Sequence, residues 1–126
     1  MINKQLSIMK ENVLAEKSYK LAVQVVQLYK EIVKEKREYI LSKQFLRCGT
    51  SIGANVVEAN GGISVADFSA KISIAYKESL ETKFWLRLLK DTDYIDLDNF
   101  NSLFSQTDEL SRILFSILKT TRINKQ

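Results

Sequence analysis

Arg47, Ser51, Asn55 and Glu58 recur at i, i+4, i+8 and i+11. On a helix that spacing draws a single polar line. Further along, Glu78 and Glu81 stand three apart, so they share one face of a second helix. Two neighbouring carboxylates are the equipment of general acid–base hydrolysis. With an arginine facing them they are equally the equipment of an ion-pair network that fixes helix register or subunit pairing. Nothing nearby supplies a nucleophile or a metal-binding constellation. The network is therefore the leading reading, a solvated polar face the next, and hydrolysis through Glu78 or Glu81 the most distant.

Two features of composition narrow the chemistry further. The chain has no histidine, which removes the commonest general base and the usual metal ligand. Its one cysteine, Cys48, allows neither an intrachain disulfide nor a cysteine-based zinc site. Cys48 falls on the apolar stripe of its helix and reads as a small buried hydrophobe. The string GTSIGAN at 49–55 invites comparison with phosphate-binding loops. The Walker pattern, however, needs Gly-Lys-Ser/Thr after a strand, and both are missing from the reading. No catalytic residue, cofactor or metal ligand is assigned.

Charge gives the second set of candidates. The net charge is +4 and the pI about 9.2, with the excess of cations in the first third of the chain. In a bundle, Lys30, Lys34, Lys36, Arg37, Lys43, Arg87 and Lys90 gather near one end and could contact the phosphates of RNA or DNA. Asp91, Asp93, Asp96 and Asp98 enter the same end and partly neutralise it. No zinc finger, recognition-helix signature or aromatic-stacking motif accompanies these residues. A solvated charged face is the competing explanation.

The elements that must position these residues are helices. Proline is absent, so nothing blocks long uninterrupted helices, and 126 residues suffice for one domain with a real core. Apolar positions spaced by three and four predict helices over about residues 12–36, 39–59, 65–90 and 98–121. The first buries Leu14, Leu21, Val25, Leu28 and Ile32, with Ala22, Val26, Tyr29 and Val33 as an adjacent stripe and Asn12 as its N-cap. The second carries Leu41, Phe45, Cys48, Ile52, Val56 and Ala59, and closes at Asn60-Gly61-Gly62, residues that accept the left-handed conformation. Ser64 with Asp67 opens the third, which buries Phe68, Ile72, Ala75, Ser79, Thr82, Leu86 and Leu89. The fourth turns Phe100, Leu103, Leu110, Leu114, Ile117 and Leu118 inward and fades into a polar tail at 122–126.

Short connections make the chain all-α, an antiparallel up-down-up-down four-helix bundle occupying 1–126 as one domain. Gly49 and Gly53, four apart in a helix, cost ~1 kcal/mol each relative to alanine and so point to another element approaching closely. A hairpin about Gly61-Gly62 sets Arg47 level with Lys77 and Glu78, so Arg47 is expected to pair with Glu78 or Glu81 in a partly buried site. Tyr76, Leu80, Phe84 and Trp85 lie off the main stripe of the third helix and argue for a homo-oligomer. No apolar run reaches the ~20 residues of a membrane span, and the first residues lack a signal-peptide core, so the chain reads as cytoplasmic with no membrane partner.

The blocks QFLRCGTSIGANVVEANGG and DFSAKISIAYKESLETKFWLRLL resemble the small bacterial four-helix bundle proteins encoded by intervening sequences within 23S ribosomal RNA genes. The accessory variability protein of diversity-generating retroelements shares that fold. The resemblance covers about residues 12–118. The matching positions are Arg47, Gly49, Ser51, Gly53, Asn55 and Glu58, then Lys77, Glu78, Glu81 and Thr82. It implies a barrel-shaped homopentamer with no enzymatic activity. For the retroelement branch it also implies a nucleic-acid-binding surface and a reverse transcriptase partner. The functional expectation is a non-enzymatic oligomeric module contacting RNA or DNA through basic residues. The alternative is a protein–protein interaction scaffold, an accessory subunit with no direct nucleic-acid role.

Overall fold

In a computed structural model, which describes residues 4–125 and the side chains of 13–121, four helices follow one another. They are α1 (Lys4–Lys36), α2 (Leu41–Asn60), α3 (Val65–Asp91) and α4 (Leu97–Lys125). Each helix packs against its neighbours in sequence, and α4 returns to α1, which closes a four-membered ring. The contacting pairs run in opposite senses. Arg47 meets Glu78 while Glu58 meets Lys71. Lys83 meets Asp108 while Tyr76 stacks with Phe115. The result is an antiparallel bundle.

The core is built from the apolar stripes. Leu14, Leu21, Val25, Leu28 and Ile32 of α1 are buried, as are Phe45, Cys48, Ile52, Val56 and Ala59 of α2. Ile72, Ala75, Leu86 and Leu89 of α3 and Leu103, Leu110, Leu114, Ile117 and Leu118 of α4 complete it. Thr107 and Ser111 of α4 are also buried, although polar. They fit because each hydroxyl donates to the carbonyl one turn back, Thr107 to Leu103 and Ser111 to Thr107. The Ser111 Oγ also lies 2.7 Å from that of Ser79 on α3. Among the described residues no buried side-chain polar atom lacks a partner.

Gly49 does what its cost implies. A Cβ there would lie 2.8 Å from both γ-methyls of Val25, so α1 approaches α2 into the space a side chain would fill. Gly53 is less tightly met, with the Ser18 carbonyl oxygen 3.4 Å from the same construction.

Helix ends differ from the sequence reading in physically informative ways. The first helix starts at Lys4, so Asn12 is helical and not an N-cap. No proline or glycine interrupts residues 4–12, and the helix propagates through them. The fourth helix likewise runs on to Lys125 through the polar tail. α2 begins at Leu41 rather than Tyr39, because Glu38 folds back as its cap. The Glu38 carboxylate accepts from the amides of Ile40, Leu41 and Ser42 at 3.0, 2.9 and 2.7 Å. Burial acts to raise the pKa of Glu38, but these donors outweigh it and hold the carboxyl below the usual value.

Gly61 closes α2 at φ −91°, so the left-handed conformation expected of Asn60-Gly61-Gly62 is not used. It is adopted instead by Arg37 (φ 52°) after α1 and Asp93 (φ 67°) after α3. At the latter the Tyr94 amide reaches back to the Leu89 carbonyl and that of Asp93 to Lys90, a Schellman closure without glycine. Ser64 caps α3 as its sequence suggests, its hydroxyl accepting from the Asp67 amide at 3.0 Å.

Candidate nucleic-acid interface

The antiparallel order carries the C-terminus of α1, the N-terminus of α2, the C-terminus of α3 and the N-terminus of α4 to one end of the bundle. All seven cations singled out from the sequence lie there. Lys30, Lys34, Lys36, Arg37, Lys43 and Arg87 are exposed and make no ion pair among the described residues. Lys90 differs. Its ammonium sits 4.2 Å from the Phe100 ring centroid and 3.5 Å from Asp91, so it is held within the bundle.

Several of the acids at this end gather around one cavity. Glu31, Glu35, Asp93, Asp96 and Lys36 line a cavity of about 280 Å³ between α1 and the α3–α4 turn. Asp96 is partly committed, because its carboxylate accepts from the Asn99 amide at 2.7 Å and caps α4. Glu38 is committed to capping α2. Lys36 shares that cavity with the acids, whereas Lys30, Lys34, Arg37 and Lys43 do not line it.

The polar line on α2 separates into three parts. Arg47 spans to α3, with Nη2 2.7 Å from Glu81 and Nη1 3.4 Å from Glu78. Asn55 instead donates to the carbonyl and hydroxyl oxygens of Ser51, within its own helix. Glu58 pairs with Lys71 at 3.2 Å, nearer the α2–α3 turn. Arg47 is also less enclosed than expected, with its side chain 51% exposed against 18% for Glu78. It lies along the rim of the α2–α3 seam because its helical position is one step outward from the core stripe. Burial pushes Glu78 above the usual carboxylate range, whereas the hydrogen bond from Arg47 holds Glu81 below it. Trp85 donates its indole N–H to Glu81 at 3.4 Å.

Cys48 takes no part in either arrangement. It is buried, and burial pushes its thiol up to about 11, which leaves it protonated and unreactive at neutral pH. Among the described residues no group of His, Cys, Asp or Glu is placed to hold a metal ion. No described helix is long and apolar enough to cross a membrane.

An all-α ring of four helices, a glycine-tight α1–α2 seam and the Arg47–Glu78–Glu81 triplet are now in view. Residues 10–116 match the family described as 23S rRNA-intervening sequence protein. The chain belongs to that family. It is also similar to a crystal structure of a protein of unknown function from the S23 ribosomal protein family of Bacteroides thetaiotaomicron VPI-5482, solved at 1.70 Å. The two are 47% identical with a TM-score of 0.85, over 87% of this chain and 98% of that one. Among curated proteins nothing matches. Membership bears out the resemblance drawn from the blocks on α2 and α3, which the matched range spans.

Two residues of interest escaped the sequence reading. Tyr39 and Ile40 precede α2 instead of forming its first turn, and both are exposed beside Arg37. The signal that could have found them is Glu38, one residue before an aromatic and three before the first helical position.

Proposed function

We propose that this member of the family is a non-enzymatic, oligomeric binding module that contacts RNA or DNA through the end of the bundle where α1 meets α2. The observation that carries the reading is the set of six exposed cations at that end, five on α1, α2 and their turn and Arg87 on α3, none in an ion pair among the described residues. A phosphate arriving at such groups does not displace an internal ion pair, and it releases counterions from the nucleic acid.

The oligomer rests on a different surface. Ile74, Leu80 and Phe84 of α3 are exposed, Phe115 of α4 lies beside Tyr76, and Phe84 stands edge-on to Trp85 at 5.1 Å. Exposed apolar and aromatic side chains gathered on α3 and α4 suit association with further copies. The family resemblance makes five the number proposed, and a closed ring repeats the basic end five times on one rim.

Fluorescence anisotropy with labelled RNA and DNA over a series of salt concentrations tests the nucleic-acid part. The reading expects log K to fall linearly with log salt, with a slope of about −0.7 per phosphate neutralised on a single strand. Absence of binding, or binding indifferent to salt, would favour the protein–protein scaffold. Light scattering tests the assembly. A mass about five times 14.5 kDa is expected, and a mass near 14.5 kDa contradicts association.

A further inference from the structure

The turn between α1 and α2 combines charge with an exposed apolar platform in a way that the basic cluster alone does not explain. Arg37 stands in the left-handed conformation at φ 52°, which ends α1 and reverses the chain. Tyr39 is 57% exposed and Ile40 76% exposed, although both are the kind of side chain a bundle normally buries at a helix start. Between Arg37 and Tyr39 lies Glu38, whose carboxylate is turned inward onto three amides of α2. That arrangement commits the acid nearest Tyr39 to backbone amides, while Glu35 stays exposed two residues before Arg37. It also occupies the N-terminal amides of α2, so an incoming phosphate must be met by side chains. Exposed Arg37 and Lys43 flank the platform in sequence on either side.

From this we infer that the α1–α2 turn is a contact site for a single-stranded nucleic acid, with Tyr39 as the surface on which a base stacks and Arg37 and Lys43 meeting the adjoining phosphates. The inference rests on the nucleic-acid reading above and specifies the form of the strand. A duplex keeps its base faces within the stack and offers this turn only phosphates, so Tyr39 and Ile40 gain nothing from it. A single strand offers base faces, and every base has one, so sequence preference is expected to be weak. The stacked base also recovers the apolar area that Tyr39 leaves in water.

Anisotropy on the full chain decides the matter, using labelled uridine and thymidine oligomers of about 12 nucleotides and an RNA duplex of equal length. The uridine and thymidine arms compare RNA with DNA as the source of the strand. The single strands are expected to bind more tightly than the duplex, and Tyr39→Ala to lose between about 5-fold and 100-fold for them with little change for the duplex. Tyr39→Phe should retain binding, since the ring and not the hydroxyl stacks. Arg37→Ala with Lys43→Ala should weaken single strand and duplex alike and reduce the salt slope, whereas Tyr39→Ala should leave that slope unchanged. Circular dichroism of each variant confirms an intact bundle. Unchanged single-strand binding by Tyr39→Ala, in a wild type that does bind, overturns the stacking site and leaves the nucleic-acid reading standing. A wild type that binds none of the probes overturns both.

Discussion

α2 meets α1 through missing side chains and α3 through charged ones. Against α1, Gly49 admits the two methyls of Val25, and Gly53 brings the Ser18 backbone close. Against α3, Arg47 reaches across to Glu78 and Glu81, and Lys71 to Glu58. The first seam is fixed by volume in a dry interior, where a methyl group is felt directly. The second is fixed along its rim by groups that water and salt compete for. The difference teaches that the two halves of one helix surface respond to different perturbations: one to changes of shape, the other to changes of charge and pH.

The largest effect is expected where shape is tightest. Gly49→Val should destabilise the bundle by about 3 kcal/mol in urea unfolding, because Val25 is fully buried and β-branched and has little freedom to move aside. A double-mutant cycle with Val25→Ala should recover part of that loss. Tolerance of valine at 49 would mean that the seam is looser than described.

Charge should count for less. Arg47→Ala is expected to cost no more than ~1 kcal/mol, since the guanidinium is half exposed, and the cost should shrink as salt rises. The two carboxylates facing it act in opposite directions. Glu78 has a raised pKa, so its contribution is complete at low pH and is lost as pH rises through its folded value. Glu81 has a lowered pKa, so its contribution is present above the ordinary glutamate range and is lost as pH falls through its folded value. Glu78→Gln should therefore be neutral or stabilising by less than ~1 kcal/mol at neutral pH, with no difference from wild type once Glu78 is protonated in acid. Thermal melts across that range measure it, and a clear loss at neutral pH would break the assignment.

The smallest effect sharpens the contrast within one seam. Gly53→Ala puts its methyl at ordinary contact distance from Ser18 and removes a helical glycine that costs ~1 kcal/mol. The Ser18 carbonyl oxygen, 3.4 Å from that methyl, offsets much of this gain, so the change in stability should be within about 0.5 kcal/mol of zero. Two glycines four residues apart would then differ several-fold in what they tolerate.

The core of this bundle was legible because the apolar residues keep one period from Leu14 to Leu118. The buried hydroxyls of Thr107 and Ser111 were not, since polar residues at core positions break the pattern and are satisfied by the helix's own carbonyls and, for Ser111, by Ser79 of α3. Helix ends were read through glycine and the usual capping residues, yet Arg37 and Asp93 take the left-handed positions and a glutamate caps α2. At the candidate interface, the gathering of cations follows from helix order and so was readable. Which of them are free was not. Lys90 is drawn to the Phe100 ring and Asp91 by packing that spacing alone does not specify.

Hydrogen exchange read by mass spectrometry, with and without a saturating single-stranded RNA, tests the central claim most directly. The account predicts added protection across residues 34–43, at the α1–α2 end, with the α2–α3 turn at residues 58–68 unchanged. Protection appearing at 58–68 instead, or at neither end, would contradict it.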